Sequence, residues 1–274
     1  MVCLCEASAA TRRALIFGLG KQEDSSWTKI HGDNDARMVA QMLVKNGFSD
    51  IRTVMNEQAT KTGMESAFMG LVKRCEAGDM VYVHYSGHGQ YMTDLNGDEA
   101  ERWTGRHAKW DEAWIPYDAY MMYCEKDHGE KHFCDDEVAE YMTQLRKAIG
   151  PKGQLYIVVD ACHSGDATRG KNEECVRGVD TEFIIPKKIG EELVKPSEEE
   201  WLTISACKPY QLCFEHKKPQ VGKLTYALCK LGERMFKMDN SELQSWLEGY
   251  MEANPSRLPQ TPVVSGRNKG FSTR

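Results

Sequence analysis

The sequence has no apolar run approaching the ~18 residues that a membrane-spanning helix needs, so no membrane partner is expected. Its start, Met1 to Ala10, lacks the basic opening and apolar centre of a secretory signal. The cytosol is therefore the expected compartment. There is no surplus of positive charge: 35 Lys and Arg face 41 Asp and Glu, a formal net charge of −6. Nucleic-acid binding needs clustered basic groups to neutralise phosphates, so that class of partner is not expected. No C-x-x-C occurs among the ten cysteines, which argues against a thioredoxin-like dithiol. Their irregular spacing in a chain this long fits free thiols better than a disulfide framework. No internal repeat is visible.

What remains is a chain of 274 residues, 41% hydrophobic and 28% charged, enough for one substantial core. Short apolar runs alternate with helical patterns. Strands are predicted at 13–18, 51–55, 80–85, 154–160 and 201–206, with a last one at 261–265. Helices are predicted at 33–46, 64–76, 136–149, 222–236 and 241–251, the last capped by Ser241. The polar stretch from Gln90 to about Asp135 has little periodicity, and 166–200 reads as a charged, mobile loop. Strands alternating with helices imply an α/β fold: a mostly parallel central sheet with helices on both faces. Ligands bind such sheets at the carboxyl ends of the strands. That rule selects His88, after the 80–85 strand, and Cys162, after the 154–160 strand.

A cysteine nucleophile attacks as thiolate and needs a base beside it, and the leaving amine then needs a proton. An imidazole serves both steps near neutral pH. Gly87, Gly89 and Gly165 flank the pair and permit close approach of backbone and substrate. Two other histidines compete for the role. His84 lies inside its strand and reads as buried and hydrogen-bonded; His163 adjoins Cys162 and is expected on the other side of the strand end.

The motifs Tyr85-Ser-Gly-His-Gly89 and Asp160-Ala-Cys-His-Ser-Gly165 resemble those of the metacaspases and related prokaryotic caspase-like peptidases. Asn34-Asp35-Ala36, Ile115-Pro-Tyr-Asp118, Ile204-Ser-Ala-Cys-Lys208, Gln211, Leu224-Thr-Tyr-Ala-Leu228 and Gln260-Thr-Pro-Val-Val-Ser265 extend the resemblance over roughly residues 13 to 266. It implies a caspase-like sandwich: a tail at 1–12, then one domain at 13–274. Within that domain, about 13–185 is large-subunit-like and about 200–266 small-subunit-like. It also implies a cysteine endopeptidase acting on proteins or peptides, with Cys162 and His88 as a dyad and the N–H groups of Gly89 and Cys162 as an oxyanion hole. The order fits, because His88 precedes Cys162, the reverse of papain-like enzymes. The implied first substrate pocket consists of Asp35, Ser86 and Asp160, whose two carboxylates select Arg or Lys. Without the resemblance, Asp35 would read as a helix-start carboxylate and Asp160 as a buried acid ordering a strand end.

The resemblance further implies calcium activation through Asp111, Asp135 and Asp136; where the family has a fourth acid, this chain has Arg169. Self-cleavage is implied in the loop after Cys162, which offers Arg169, Lys171, Arg177, Lys187, Lys188 and Lys195. A monomer is expected on the same ground. The alternative is a catalytically silent caspase-fold regulator; retention of both His88 and Cys162 favours the enzyme. Cys124, His128, His132 and Cys134 form a C-x3-H-x3-H-x-C pattern of zinc-ligand types, at a spacing that matches no common zinc site. Asp94-Leu-Asn-Gly-Asp98 reads as a solvated acidic turn, and Cys3 and Cys5 as part of a frayed terminus.

Overall fold

Alternate residues of the central strands face opposite ways, and both faces are apolar. On β1 (Arg12–Gly18), Ala14 and Ile16 point into one core while Leu15 and Phe17 point into the other. A sheet with two apolar faces must be covered on both sides. A computed structural model of the chain describes residues 10–97, 110–163, 175–186, 200–209 and 211–267. Its main sheet has six strands in the order β11-β8-β7-β3-β1-β2. The remaining five are β2 (Asp50–Met55), β3 (Met80–Ser86), β7 (Gln154–Asp160), β8 (Leu202–Ser205) and β11 (Val263–Gly266). All pairings are parallel except that of β11 with β8. The expected mostly parallel α/β sheet is thus observed.

One face is covered by α1 (Gly32–Lys45), α4 (Lys223–Leu231) and α5 (Asn240–Ala253), through Val39, Leu43, Leu224, Leu228, Leu243 and Leu247. The other is covered by α2 (Lys61–Arg74) and α3 (Asp135–Ile149), through Met64, Phe68, Val138, Met142 and Leu145. Phe68 is fully buried and tilts against Phe17 at 5.3 Å; burying such a ring contributes on the order of 2–3 kcal/mol.

The helix ends follow local chemistry. Gly47 stops α1 at φ +76°, a conformation that costs a side-chain-bearing residue energy. α2 begins three residues earlier than its apolar pattern predicts, because the Thr60 hydroxyl accepts from the Gly63 N–H. α5 is capped by Asp239 and not by Ser241: Glu242 lies three residues after Asp239 and completes a capping box. The predicted 222–236 helix breaks at Gly232 (φ +58°) into α4 and a 3₁₀ turn.

Two small sheets were not predicted. β4 (Gly89–Thr93), β5 (Trp110–Trp114) and β6 (Phe133–Cys134) form an antiparallel sheet within the stretch read as irregular. β9 (Glu215–His216) and β10 (Val221–Gly222) form a short hairpin. The loop expected at 166–200 is described from 175 to 186 and at 200, and the 175–186 part is held in place: Phe183 is fully buried and exchanges backbone hydrogen bonds with Tyr91 and Thr93. Among the described residues no helix is long and apolar enough to cross a membrane.

Candidate active site

β3 and β7 pair in register, Ser86 opposite Asp160, and both strands end there. His88 and Cys162 therefore each lie two residues beyond a matched pair, on adjacent strand ends. Tyr85 fixes the turn on the His88 side. Its hydroxyl donates to the His88 carbonyl at 2.6 Å and accepts from the Ile115 N–H at 2.9 Å. Its ring stacks on Trp114 with centroids 4.4 Å apart.

The His88 imidazole is fully buried beside the Trp27 indole, at 5.1 Å. Nε2 lies 2.7 Å from the Thr28 carbonyl, which can only accept. Nε2 therefore carries the proton and Nδ1 the lone pair. Nδ1 is buried without a hydrogen-bond partner. Burial, aided by the charge of Arg177 and opposed by the Thr28 carbonyl, pushes the imidazole down to about 4, so it is neutral near pH 7.

The two predicted oxyanion donors converge on a single atom. The N–H groups of Gly89 and Cys162 each donate to the Arg177 carbonyl at 3.2 Å. A Cβ on residue 89 would sit 2.7 Å from the Cys162 carbonyl oxygen, so this close approach requires glycine.

The Arg177 side chain enters the acidic pocket built from Asp35, Ser86 and Asp160. Its Nη1 donates to Asp35 Oδ2 at 2.6 Å, to Ser86 Oγ at 2.5 Å and to the Asp160 carbonyl at 3.3 Å. Asp160 Oδ1 lies 3.4 Å from the same nitrogen. A fourth wall, absent from the sequence-based pocket, is Glu215: Oε1 accepts from Nε at 3.2 Å and from Nη2 at 2.9 Å. Asp35, Ser86, Asp160 and Arg177 are fully buried, and Glu215 nearly so.

Neighbouring backbone fixes the acids. Gly222 N–H donates to Asp35 Oδ1 at 3.0 Å, and Thr225 donates to Asp160 Oδ2 from its N–H at 2.9 Å and its hydroxyl at 2.6 Å. Burial drives the Asp35 carboxyl up to about 6, with Arg177 opposing and Asp160 adding to it. Burial also raises Glu215, but Arg177 and His31 outweigh it and hold that carboxyl below its usual range. Glu215 carries no motif that would mark it in the sequence, and Thr225 lies within Leu224-Thr-Tyr-Ala-Leu228 but with nothing there to mark its bond to Asp160; they are placed by the β9–β10 hairpin and the start of α4.

The other candidates go elsewhere. His84 is buried against Tyr82 and the Thr225 hydroxyl, and burial lowers it to about 3. The His163 ring stays beside the site, against Gly89, but its Nδ1 turns to Glu112 Oε2 at 3.2 Å. The zinc-type pattern is dispersed: Cys134 meets Met92, His132 meets Gln90 and His128 lies against Tyr123. Asp111 lies on β5, while Asp135 and Asp136 open α3; β6 links the two, with Ala113 opposite Cys134. These carboxylates, with the Asn96 amide bonded to Asp136 at 2.6 Å, offer the hard oxygens calcium prefers. Among the described residues, however, the three do not form a close ligand group; one forms at His31, Cys175 and Glu215. Asp94 accepts from Asn96 and Gly97 N–H in a tight turn. Cys3, Cys5, Asp98, Gly165, Arg169, Lys171, Lys187, Lys188 and Lys195 lie outside the described residues.

The family model of the caspase domain (Peptidase_C14) matches residues 11–268. Metacaspase-1A of Neurospora crassa is 28% identical over 193 residues, 67% of this chain and 38% of that protein. Metacaspase-1 of Eremothecium gossypii is 28% identical over 189 residues, 65% of this chain and 37% of that protein. The chain thus spans less than two fifths of the length of these relatives. Among solved structures, a protein of Geobacter sulfurreducens aligns over 93% of this chain and 92% of its own, with a TM-score of 0.63 at 20% identity. Caspase-1 of Spodoptera frugiperda aligns over 94% and 90%, with a TM-score of 0.60 at 12% identity.

Proposed function

The chain belongs to the caspase-domain family of cysteine peptidases, and from that premise we propose that it is an Arg-directed endopeptidase whose first substrate is its own Arg177–Gly178 bond. The observation that carries this reading is the posture of Arg177. Its guanidinium fills the acidic pocket while its carbonyl accepts from both Gly89 and Cys162 N–H groups. One residue satisfies the specificity pocket and the oxyanion hole together, which is what a residue preceding a scissile bond must do.

In the reaction, His88 Nδ1 takes the Cys162 thiol proton as sulfur attacks the carbonyl carbon. The developing oxyanion is held by the two N–H groups. The carbon–nitrogen bond then breaks, His88 returns the proton to the leaving amine, and water hydrolyses the thioester to free Cys162. Burial keeps the imidazole neutral, so Nδ1 offers a lone pair, at the expense of its strength as a base.

Arg is preferred to Lys. The guanidinium spans from Asp35 and Ser86 on one nitrogen to Glu215 on the other two. A single ammonium cannot reach both walls at once. Losing one charge-assisted bond of about 2 kcal/mol corresponds to roughly 30-fold in kcat/KM. Calcium binding at Asp111, Asp135 and Asp136 forms part of the same proposal; because the three do not form a close ligand group, the ion would have to draw them together where β5 meets the start of α3.

Peptides varied at the residue before the scissile bond test the reading. Arg should lead, Lys should follow, Asp should be inert, and Cys162→Ala should abolish all cleavage. An Asp35→Ala enzyme that cleaves Arg peptides as well as wild type would remove the pocket assignment.

A further inference from the structure

The proposed peptidase chemistry does not use the His31 ring or Cys175, yet these meet Glu215 beside the pocket. We propose that His31, Cys175 and Glu215 form a binding site for a zinc-class divalent cation that clamps the Arg177 segment onto the body of the enzyme. A His31 ring nitrogen, the Cys175 Sγ and a Glu215 carboxylate oxygen all lie within 4.8 Å of one another. They come from three separate segments: the residue before α1, the strand β9, and the segment that carries Arg177. Imidazole nitrogen, thiolate sulfur and carboxylate oxygen together suit zinc and not calcium or magnesium, which favour oxygen alone. Three protein ligands leave the fourth tetrahedral position to water.

The outer contacts already orient the donors. Glu215 Oε1 is occupied by the Arg177 guanidinium and by the His31 N–H at 2.8 Å. That leaves Oε2 towards the His31 ring, 2.6 Å from Nδ1. Such outer-shell bonds fix a ligand's direction before the metal arrives. Without metal, burial and the nearby Glu215 push the Cys175 thiol up to about 12, so it is protonated. Binding therefore releases the Cys175 proton to solvent as the sulfur–metal bond forms, and the His31 Nδ1 proton, which Glu215 Oε2 accepts in the metal-free chain, moves to Nε2 or to solvent as the nitrogen–metal bond replaces it, so affinity rises with pH.

The consequence follows from covalent distance. Cys175 is two residues before Arg177, and Glu215 is shared between the guanidinium and the metal site. A cation held there resists withdrawal of Arg177 from the pocket. If the 177–178 bond is cut, it also retains the new chain end as a competitor of substrate. The metal site stands on its own geometry; only this inhibitory consequence rests on the peptidase reading.

The test uses the full chain carrying Cys162→Ala, which removes the nucleophile thiol and keeps the segment uncut. Cobalt(II) is titrated as the spectroscopic probe, with zinc as competitor. The expected result is one thiolate-to-cobalt charge-transfer band per chain, displaced by zinc. The band should be absent in Cys162→Ala/Cys175→Ser, and cobalt affinity should fall at least about 10-fold in Cys162→Ala/His31→Gln. Unchanged circular dichroism of the metal-free variants confirms that they fold. A band that survives Cys175→Ser, or no band in the parent, would overturn the site. No turnover is measured, so failure here is distinct from failure of the peptidase reading.

Discussion

Replacing Arg177 with alanine in the Cys162→Ala chain isolates what its guanidinium does. Arg177 is fully buried and meets Asp35 at 2.6 Å, Asp160 at 3.4 Å and Glu215 at 2.9 Å. Its removal takes the guanidinium from Asp35 and Asp160 and leaves Glu215 with His31 alone. Breaking a buried ion pair by deleting one partner costs roughly 3–5 kcal/mol. Water entering the opened pocket, and protonation of Asp35, offset part of that. A net loss of about 3 kcal/mol is expected, which for a chain of this size lowers the melting temperature by roughly 6–12 °C. The deficit should depend on pH with a definite sign. Without Arg177 the Asp35 carboxyl, which burial already raises to about 6 against the pull of Arg177, rises further above its unfolded value, so the folded chain binds more protons. The deficit is then largest at neutral pH and shrinks as pH falls through that raised value. Agmatine, a free guanidinium, should restore stability by refilling the pocket, and an alkyl amine of equal length should restore less. Differential scanning fluorimetry across pH, with and without agmatine, reads all three effects. An unchanged melting temperature that agmatine does not move would refute the claim that Arg177 fills an acidic arginine pocket.

Three further outcomes are expected. Asp35 sits at about 6 with Arg177 docked and higher without it, because Arg177 opposes the upward pull of burial; arginine binding therefore expels a proton. KM for Arg peptides should rise as pH falls towards about 6 while KM for a neutral competitor stays flat, and pH-independent KM would contradict this. At Gly222 an added Cβ would lie 2.6 Å from Arg177 Nη1 and against the Asp160 carboxylate. Gly222→Ala should raise KM for Arg peptides at least about 10-fold and also lower the melting temperature, because the new Cβ would press on the buried Asp160 carboxylate; normal KM would show that Gly222 does not border the pocket. Calcium titrated calorimetrically into Cys162→Ala should bind, and Asp111→Asn with Asp136→Asn should abolish that binding; heats unchanged by the double variant would place calcium elsewhere.

The long elements are legible in the sequence because each repeats a strong local signal. β7 is an unbroken apolar run, and α1 and α3 present apolar residues every three or four positions. The expectation that chemistry sits at strand ends then selects His88 and Cys162, since the β3–β7 register carries both just beyond Ser86 and Asp160. The β4–β5–β6 sheet is not legible because buried polar groups interrupt the apolar alternation. Gln90 is fully buried, with its amide donating to the Met121 and Thr181 carbonyls, and Asp111 is buried on β5. Glu215 lies on a two-residue strand, too short for any period to show. Arg177 reads in sequence as one of six basic residues after the nucleophile. Only tertiary packing singles it out, by placing its carbonyl on two amides contributed by residues 89 and 162.

The most direct measurement is mass spectrometry of the purified chain's fragments, with wild type beside Cys162→Ala. The wild type should show a new C-terminus at Arg177 and a new N-terminus at Gly178, and the variant an intact 177–178 bond. An active wild type whose 177–178 bond stays whole, or the same cut in Cys162→Ala, would contradict self-cleavage after Arg177 by Cys162.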